Sequence, residues 1–262
     1  MSLLVFTDLD GTLMEHESYS VEPARGALAA LANRGISPLI NSSKTRSEII
    51  AIQQRLNLDA PFICENGAAL YHYHDATGEP IDRIFGIDRL SWLDDVHRLR
   101  ADLSLQFEGF SDWEPGKLAE VTGLAHAEAE LAQQRQYSEP ILWRDTSKAF
   151  AQFSAALAEM GLQLIEGGRF YSIQGNHDKA TAMQWLKSSI NDPGILIVAL
   201  GDSPNDSAML EAADIAVIIK SAKSDQIRLQ TPGQIIRTNR PGPAGWQDAI
   251  LEILGSHDEQ AQ

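Results

Sequence analysis

The sequence predicts an α/β protein, a Rossmann-like core of parallel strands interrupted by an inserted α+β cap, and three observations carry that prediction. Short apolar runs alternate with amphipathic segments at both ends of the chain, the rhythm of β-α-β units. The alternation lapses between about residues 83 and 173 and then resumes. The apolar runs of the alternating parts also stop at carboxylates or hydroxyls: Asp8 and Asp10, Ser42 and Ser43, Asp202 and Asp206. Open α/β sheets place their chemistry at the carboxyl ends of their strands.

The chain of 262 residues, 44% of them hydrophobic, is long enough for one large domain or two modest ones. We divide it into a core of residues 1–82 and 174–262 and a cap of residues 83–173. Its 36 acidic and 21 basic residues give a formal charge of −15 with no basic cluster, the wrong sign for a nucleic-acid or anionic-membrane binder. The single cysteine, Cys64, sits in an apolar run and permits no internal disulfide. With no basic and apolar leader pattern at the start and no apolar run of membrane-spanning length, the expected location is the cytoplasm. A small phosphorylated substrate is compatible with this charge where a metal and a few positive groups are concentrated at one site, and the expected assembly is a monomer or small homo-oligomer.

Leu3-Leu4-Val5-Phe6 predicts a buried strand that delivers Thr7-Asp8-Leu9-Asp10-Gly11-Thr12-Leu13 to a strand end. Two carboxylates this close repel unless a cation lies between them or one keeps its proton. Oxygen ligands of this kind suit Mg2+; the plain alternative is an Asp-Gly turn. Residues 23–34 predict a helix, with Pro23 in its first turn and Gly35 just past its end, and residues 36–40 a second strand. Asn41-Ser42-Ser43-Lys44 follows, and Thr45 with Glu48 makes a capping box for a helix over 46–56. Ser42 and Ser43 either hold an anion at this helix start or only cap it.

Residues 61–71 predict a hairpin around Asn66-Gly67. His72 and His74, with Asp75, suggest a transition-metal site, but alternation on a half-exposed strand explains them more simply. Within the insertion, helices are predicted over 87–103, 113–122, 125–136 and 146–160, and strands over 140–143, 162–165 and 170–173. Asp178 then caps a helix over 179–189 that begins with Lys179. Residues 195–200 form the most apolar strand and end in Gly201-Asp202-Ser203-Pro204-Asn205-Asp206. Asn205 or Asp206 serves to cap a helix over 207–212; Asp202, ahead of a Ser-Pro turn, has no such structural role. Strands at 215–219 and 235–236, a helix over 245–254 and a frayed polar tail complete the chain.

Taken in order, Asp8-Leu9-Asp10-Gly11-Thr12-Leu13, Ser42-Ser43, Lys179 and Gly201-Asp202-Ser203-Pro204-Asn205-Asp206 resemble the four motifs of the haloacid dehalogenase superfamily of phosphotransferases. The resemblance spans essentially the whole chain and implies the haloacid dehalogenase fold, its insertion being similar to the cap of the branch that acts on sugar phosphates. Ser42-Ser43-Lys44-Thr45-Arg46-Ser47-Glu48, Glu65-Asn66-Gly67-Ala68 and Gly167-Gly168-Arg169-Phe170 further resemble mannosyl-3-phosphoglycerate phosphatases, in stretches short enough to be shared by relatives with other substrates.

The resemblance implies Asp8 as nucleophile forming an aspartyl phosphate and Asp10 as acid and base. It implies Mg2+ held by Asp8, Asp202 and the main-chain carbonyl of Asp10, with Asp206 and Asn205 supporting those ligands. Ser42, or its neighbour Ser43, and Lys179 would bind the transferring phosphate oxygens. Arg169 and Lys44 are the substrate candidates, Arg169 for a carboxylate. A general sugar-phosphate phosphatase, a glucosyl-3-phosphoglycerate phosphatase and a phosphomutase remain alternatives, as does a binding module without turnover. No P-loop glycine spacing precedes Lys44-Thr45 or Lys179-Ala180-Thr181, which sets a nucleotide kinase aside.

Overall fold

A computed structural model describes residues 3–74, 80–190, 192, 194–230 and 233–260. The first β-α-β unit is β1 (Leu3–Thr7), α1 (Arg25–Ala32) and β2 (Leu39–Asn41). A short 3-10 turn carrying Pro23 precedes α1, and Gly35 takes φ +69° after it. Then come α2 (Arg46–Leu56), β3 (Phe62–Cys64) and β4 (Ala69–His74). The capping box on α2 is present in full: Thr45 accepts from the Glu48 amide and Glu48 from the Thr45 amide. β3 and β4 pair antiparallel around Asn66 and Gly67, as the Asn-Gly signal predicts, but Glu65 also takes a positive φ, so the turn is wider than a two-residue one.

β5 (Pro80–Ile84) adds one more antiparallel strand to this edge; the sequence reading had no strand there. The insertion contains α3 (Leu93–Asp102), β6 (Phe107–Gly109), α4 (Pro115–Thr122), α5 (His126–Ala132), β7 (Ser138–Trp143), α6 (Ser147–Glu159), β8 (Leu162–Glu166) and β9 (Tyr171–Gly175). The chain returns through α7 (Lys179–Ser189), β10 (Leu196–Gly201), α8 (Ser207–Glu211), β11 (Ile215–Lys220), β12 (Gln234–Pro241) and α9 (Gly242–Gln260). β12 is longer than the two apolar residues that signalled it, because it pairs alongside β11 with polar residues as well. α9 continues to Gln260 instead of ending at 254, so the polar tail extends the last helix.

Among the described residues the main sheet has eight strands in the order β12-β11-β10-β1-β2-β3-β4-β5, parallel from β12 to β3. Successive residues of β1 enter opposite layers: Val5 packs with α1, α2 and α9, and Phe6 with α7 and α8. Burying such side chains contributes about 1.5–3 kcal/mol each. The cap sheet is wholly antiparallel, ordered β6-β7-β9-β8, with Phe153 and Leu157 of α6 and Val96 of α3 covering one face. Pairing keeps residues through Ile84 in the main sheet and through Gly175 in the cap sheet, slightly beyond the divisions drawn at 82 and 173.

The strand order reverses about β1. From β1 the chain winds through β2 to β3 on one side and later from β10 through β11 to β12 on the other. The crevice of a doubly wound sheet opens at such a reversal, here at the ends of β1 and β10.

A candidate active site at the strand reversal

β1 and β10 run parallel in register, with Thr7 opposite Leu200, so Asp8 and Asp202 emerge side by side. Lys179, the first residue of α7, is held at this point from its main chain: the buried Asn41 amide donates to the Lys179 carbonyl at 2.7 Å. Asp178 fixes the helix start by accepting from the amides of Ala180 and Thr181. The Lys179 ammonium then donates at 2.6 Å to both Asp8 Oδ1 and Asp206 Oδ1, with its side chain 1% exposed.

Asp206 does not cap α8. Its remaining oxygen, Oδ2, accepts from the amides of Asp202 and Ser203, which shapes the turn that presents Asp202, while Asn205 accepts from the Ser203 hydroxyl. Asp202 carries weaker restraints: Thr12 Oγ1 donates to it at 3.5 Å, and the imidazole of the exposed His16 lies 3.5 Å from its other oxygen. That contact raises the pKa of His16 above its ordinary value. The Ser221 hydroxyl donates to the Asp202 carbonyl. Gly11 is required where the chain turns past Asp10, since at its φ of +80° a Cβ would stand 2.7 Å from Asp202 Oδ2.

Asp8, Asp202 and Asp206 bring carboxylate oxygens within 4.8 Å of one another, the metal-type cluster found among the described residues. Three carboxylates against one ammonium leave an excess of two negative charges. Burial pushes the Asp8 carboxyl up to about 7; Lys179 opposes this and the neighbouring Asp206 and Asp202 add to it. Burial also works against the Lys179 charge, but Asp206 and Asp8 outweigh it and keep the pKa above the usual lysine range. An all-oxygen donor set with that charge excess fits a hard divalent cation such as Mg2+. Asp8 and Asp202 retain oxygens for it, whereas both oxygens of Asp206 are committed to Lys179 and the turn.

Asp10 is separate from this cluster. Its Oδ2 lies 3.0 Å from Lys44 Nζ, and its buried Oδ1 has no partner among the described residues. Burial works against the Lys44 ammonium too, but the carboxylates of Asp10 and Glu48 raise its pKa. Ser42 is buried, and its Oγ accepts from the Lys44 amide; Ser43 is less buried, and its carbonyl accepts from Arg135. Arg169 donates through Nη1 to the carbonyls of Val121 and Thr122 at the end of α4. The ring of His72 packs on Phe62, and Asp75 lies outside the described residues. Cys64 is buried, which pushes its thiol well above the usual range.

The sequence reading missed the joint that seats the cap. The Glu65 carboxylate, fully buried, accepts from the amides of Gln136 and Tyr137 and from the Ser138 hydroxyl. Its own amide donates to the Lys44 carbonyl, and the next amide, of Asn66, to the Ser42 carbonyl. Gly67 completes the joint: at φ +97°, a Cβ there would fall 1.8 Å from the Asp178 carbonyl. One turn thus touches the Ser42–Lys44 loop, the start of α7 and the cap. Glu65→Gln should therefore cost about 1–3 kcal/mol, since its –NH2 would face a donor where an acceptor is needed. Urea unfolding would measure the loss, and faster hydrogen exchange at the Gln136 and Tyr137 amides would localise it.

A sequence profile of haloacid dehalogenase-like hydrolases matches residues 5–84 and 144–231, more than half of the chain. Among solved structures, a haloacid dehalogenase-like hydrolase from B. subtilis is similar at 20% identity and TM-score 0.68, covering 98% of this chain and 99% of that one. A phosphatase of the haloalkanoate superfamily from Bacteroides thetaiotaomicron matches at 19% identity and TM-score 0.68, over 96% of this chain and 95% of that one. The sucrose-phosphatase of Synechocystis, solved with sucrose and phosphate, matches at 16% identity and TM-score 0.62, over 96% and 98% of the two chains. These likenesses establish a shared fold.

Proposed function

The chain belongs to the haloacid dehalogenase-like hydrolase family, and from that premise and its site we propose a magnesium-dependent phosphatase that hydrolyses a sugar-linked phosphate monoester through an aspartyl phosphate. The observation that carries the reading is the meeting of Asp8, Asp202 and Asp206 around Lys179 at adjoining strand ends. Mg2+ held by Asp8 and Asp202 would offset the repulsion between an anionic nucleophile and an anionic phosphate.

Lys179 holds the Asp8 carboxylate in position for attack on phosphorus. As that P–O bond forms and the ester P–O bond breaks, Asp10 would give its proton to the departing oxygen. Water then attacks the aspartyl phosphate, loses its proton to Asp10 and restores Asp8 with release of phosphate. Lys179 and Ser42 would bind the transferring oxygens. Within this class the motif resemblance favours mannosyl-3-phosphoglycerate, giving mannosylglycerate. Glucosyl-3-phosphoglycerate and simple hexose phosphates are the next candidates.

The test is phosphate release with and without Mg2+ from mannosyl-3-phosphoglycerate, glucosyl-3-phosphoglycerate, hexose phosphates, acetyl phosphate and nitrophenyl phosphate. A marked preference for the mannosyl compound, lost on chelation, is expected. Turnover led by another compound would discard the substrate and keep the chemistry. Isomerisation of a hexose phosphate without phosphate release would replace hydrolysis by a mutase.

A further inference from the structure

Three successive residues between β3 and β4 hold left-handed backbone: Glu65 at φ +44°, Asn66 at φ +60° and Gly67 at φ +97°. Glycine enters that region freely and asparagine readily, but glutamate does not. A side chain of its kind stays there only where the surroundings over-determine it. For Glu65 those surroundings belong to the cap, because the donors to its buried carboxylate are Gln136, Tyr137 and Ser138.

The main chain of the same turn serves the catalytic side. Successive amides, of Glu65 and Asn66, donate to the carbonyls of Lys44 at 2.9 Å and of Ser42 at 3.0 Å. The Glu65 carbonyl meets the buried His177 ring at 3.2 Å, two residues before Lys179, and Gly67 lies against the Asp178 carbonyl. Arg135 adds a second tie from the cap, donating to the Ser43 carbonyl and the Ser138 hydroxyl. Ser42 and Lys179 thus sit on segments that rest on one turn, and the cap holds that turn.

We propose that Glu65 is a positioning residue for phosphate binding: through it a seated cap sets the Ser42–Lys44 loop and the start of α7, so the phosphate site is complete only with the cap in place. This rests on the phosphatase reading above, which gives Ser42 and Lys179 to the transferring oxygens. A substrate whose leaving group is too small to meet the cap depends on the cap all the same. Linkage adds a second consequence: what the cap contributes to phosphate affinity, phosphate returns to cap seating. The element that both bias is the left-handed turn.

The test measures binding of inorganic phosphate by calorimetry in the presence of Mg2+, beside kcat on acetyl phosphate. Glu65→Gln should weaken phosphate binding and lower kcat for acetyl phosphate, each by about tenfold. Ser138→Ala, which removes one donor from the cap side, should weaken phosphate binding at least about twofold, and it carries the test if Glu65→Gln does not fold. Leu157→Ala loosens the cap's own packing away from the turn and should leave phosphate affinity within about twofold. In the wild type, saturating phosphate should slow hydrogen exchange at the Gln136 and Tyr137 amides, and in Glu65→Gln that slowing should vanish. Unchanged phosphate affinity in the folded Glu65 and Ser138 variants, an equal loss in Leu157→Ala, or no slowing in the wild type would overturn the inference and leave the phosphatase reading intact. A wild type that binds no phosphate and releases none from any substrate would overturn both.

Discussion

Asp8→Asn should abolish phosphate release, lowering kcat by on the order of 10⁴ or more, because the proposed mechanism builds its covalent intermediate on Asp8. The same substitution should stabilise the metal-free protein at alkaline pH, because it removes one of the excess buried negative charges while Asp206 still pairs with Lys179. The sign follows from the pKa. Asp8 binds its proton more tightly in the folded chain, up to about 7, than in the unfolded one. Its contribution to stability is present at low pH, is lost as pH rises from the unfolded value through about 7, and stays lost above. Urea unfolding in chelator at pH 8 should therefore favour the variant, and Mg2+ should narrow the gap by stabilising only the wild type. An active Asp8→Asn enzyme would remove the nucleophile from the mechanism.

Lys179→Met should be the most damaging single change to the fold among the site residues. Its ammonium is the shared partner of Asp8 and Asp206, and Met fills a similar volume without the charge. Removing one member of a buried ion pair costs about 3–5 kcal/mol, since the carboxylates left behind are uncompensated. Adding Asp206→Asn should recover part of that loss in a double-mutant cycle, because it removes one of the stranded charges. Activity should not return, as the donor to Asp8 is still missing. Urea midpoints of the single and double variants, with phosphate release beside them, would test both halves.

How much of this site is readable beforehand depends on whether a residue acts where its own segment places it. Asp8 and Asp202 stand at the ends of apolar runs, and Lys179 follows a capping Asp178, so strand and helix periodicity deliver them without knowledge of the packing. The helix over Arg46–Leu56 carries its own start signal in Thr45 and Glu48. Asn41, Thr12, His16 and Ser221 act on residues far along the chain, and nothing local distinguishes their polar side chains from ordinary loop chemistry. Glu65 lay within a motif, but its partners are cap residues about seventy positions away. β6 failed to register because three residues ending in glycine carry too little alternation, and they become a strand only by pairing with β7. Arg169 shows that a charge read as a ligand-binding group can also serve the fold, since it donates to the carbonyls at a helix end.

The pairing of β1 with β10 also sets a timetable. Residues joined across that seam, such as Thr12 and Asp202, are separated by 190 positions, with the entire insertion between them. At a translation rate of about 5–20 residues per second, the first strand leaves the ribosome roughly 10 to 40 s before its neighbour exists. During that interval β2 and β3 can shelter one flank of Leu3–Thr7, while the other presents unpaired amides and carbonyls beside apolar side chains. Such long-range parallel closure is slow, and the open edge is a surface on which nascent chains associate. The arrangement that brings Asp8 and Asp202 together thus makes the enzyme depend, while it is being made, on protection of its own first strand.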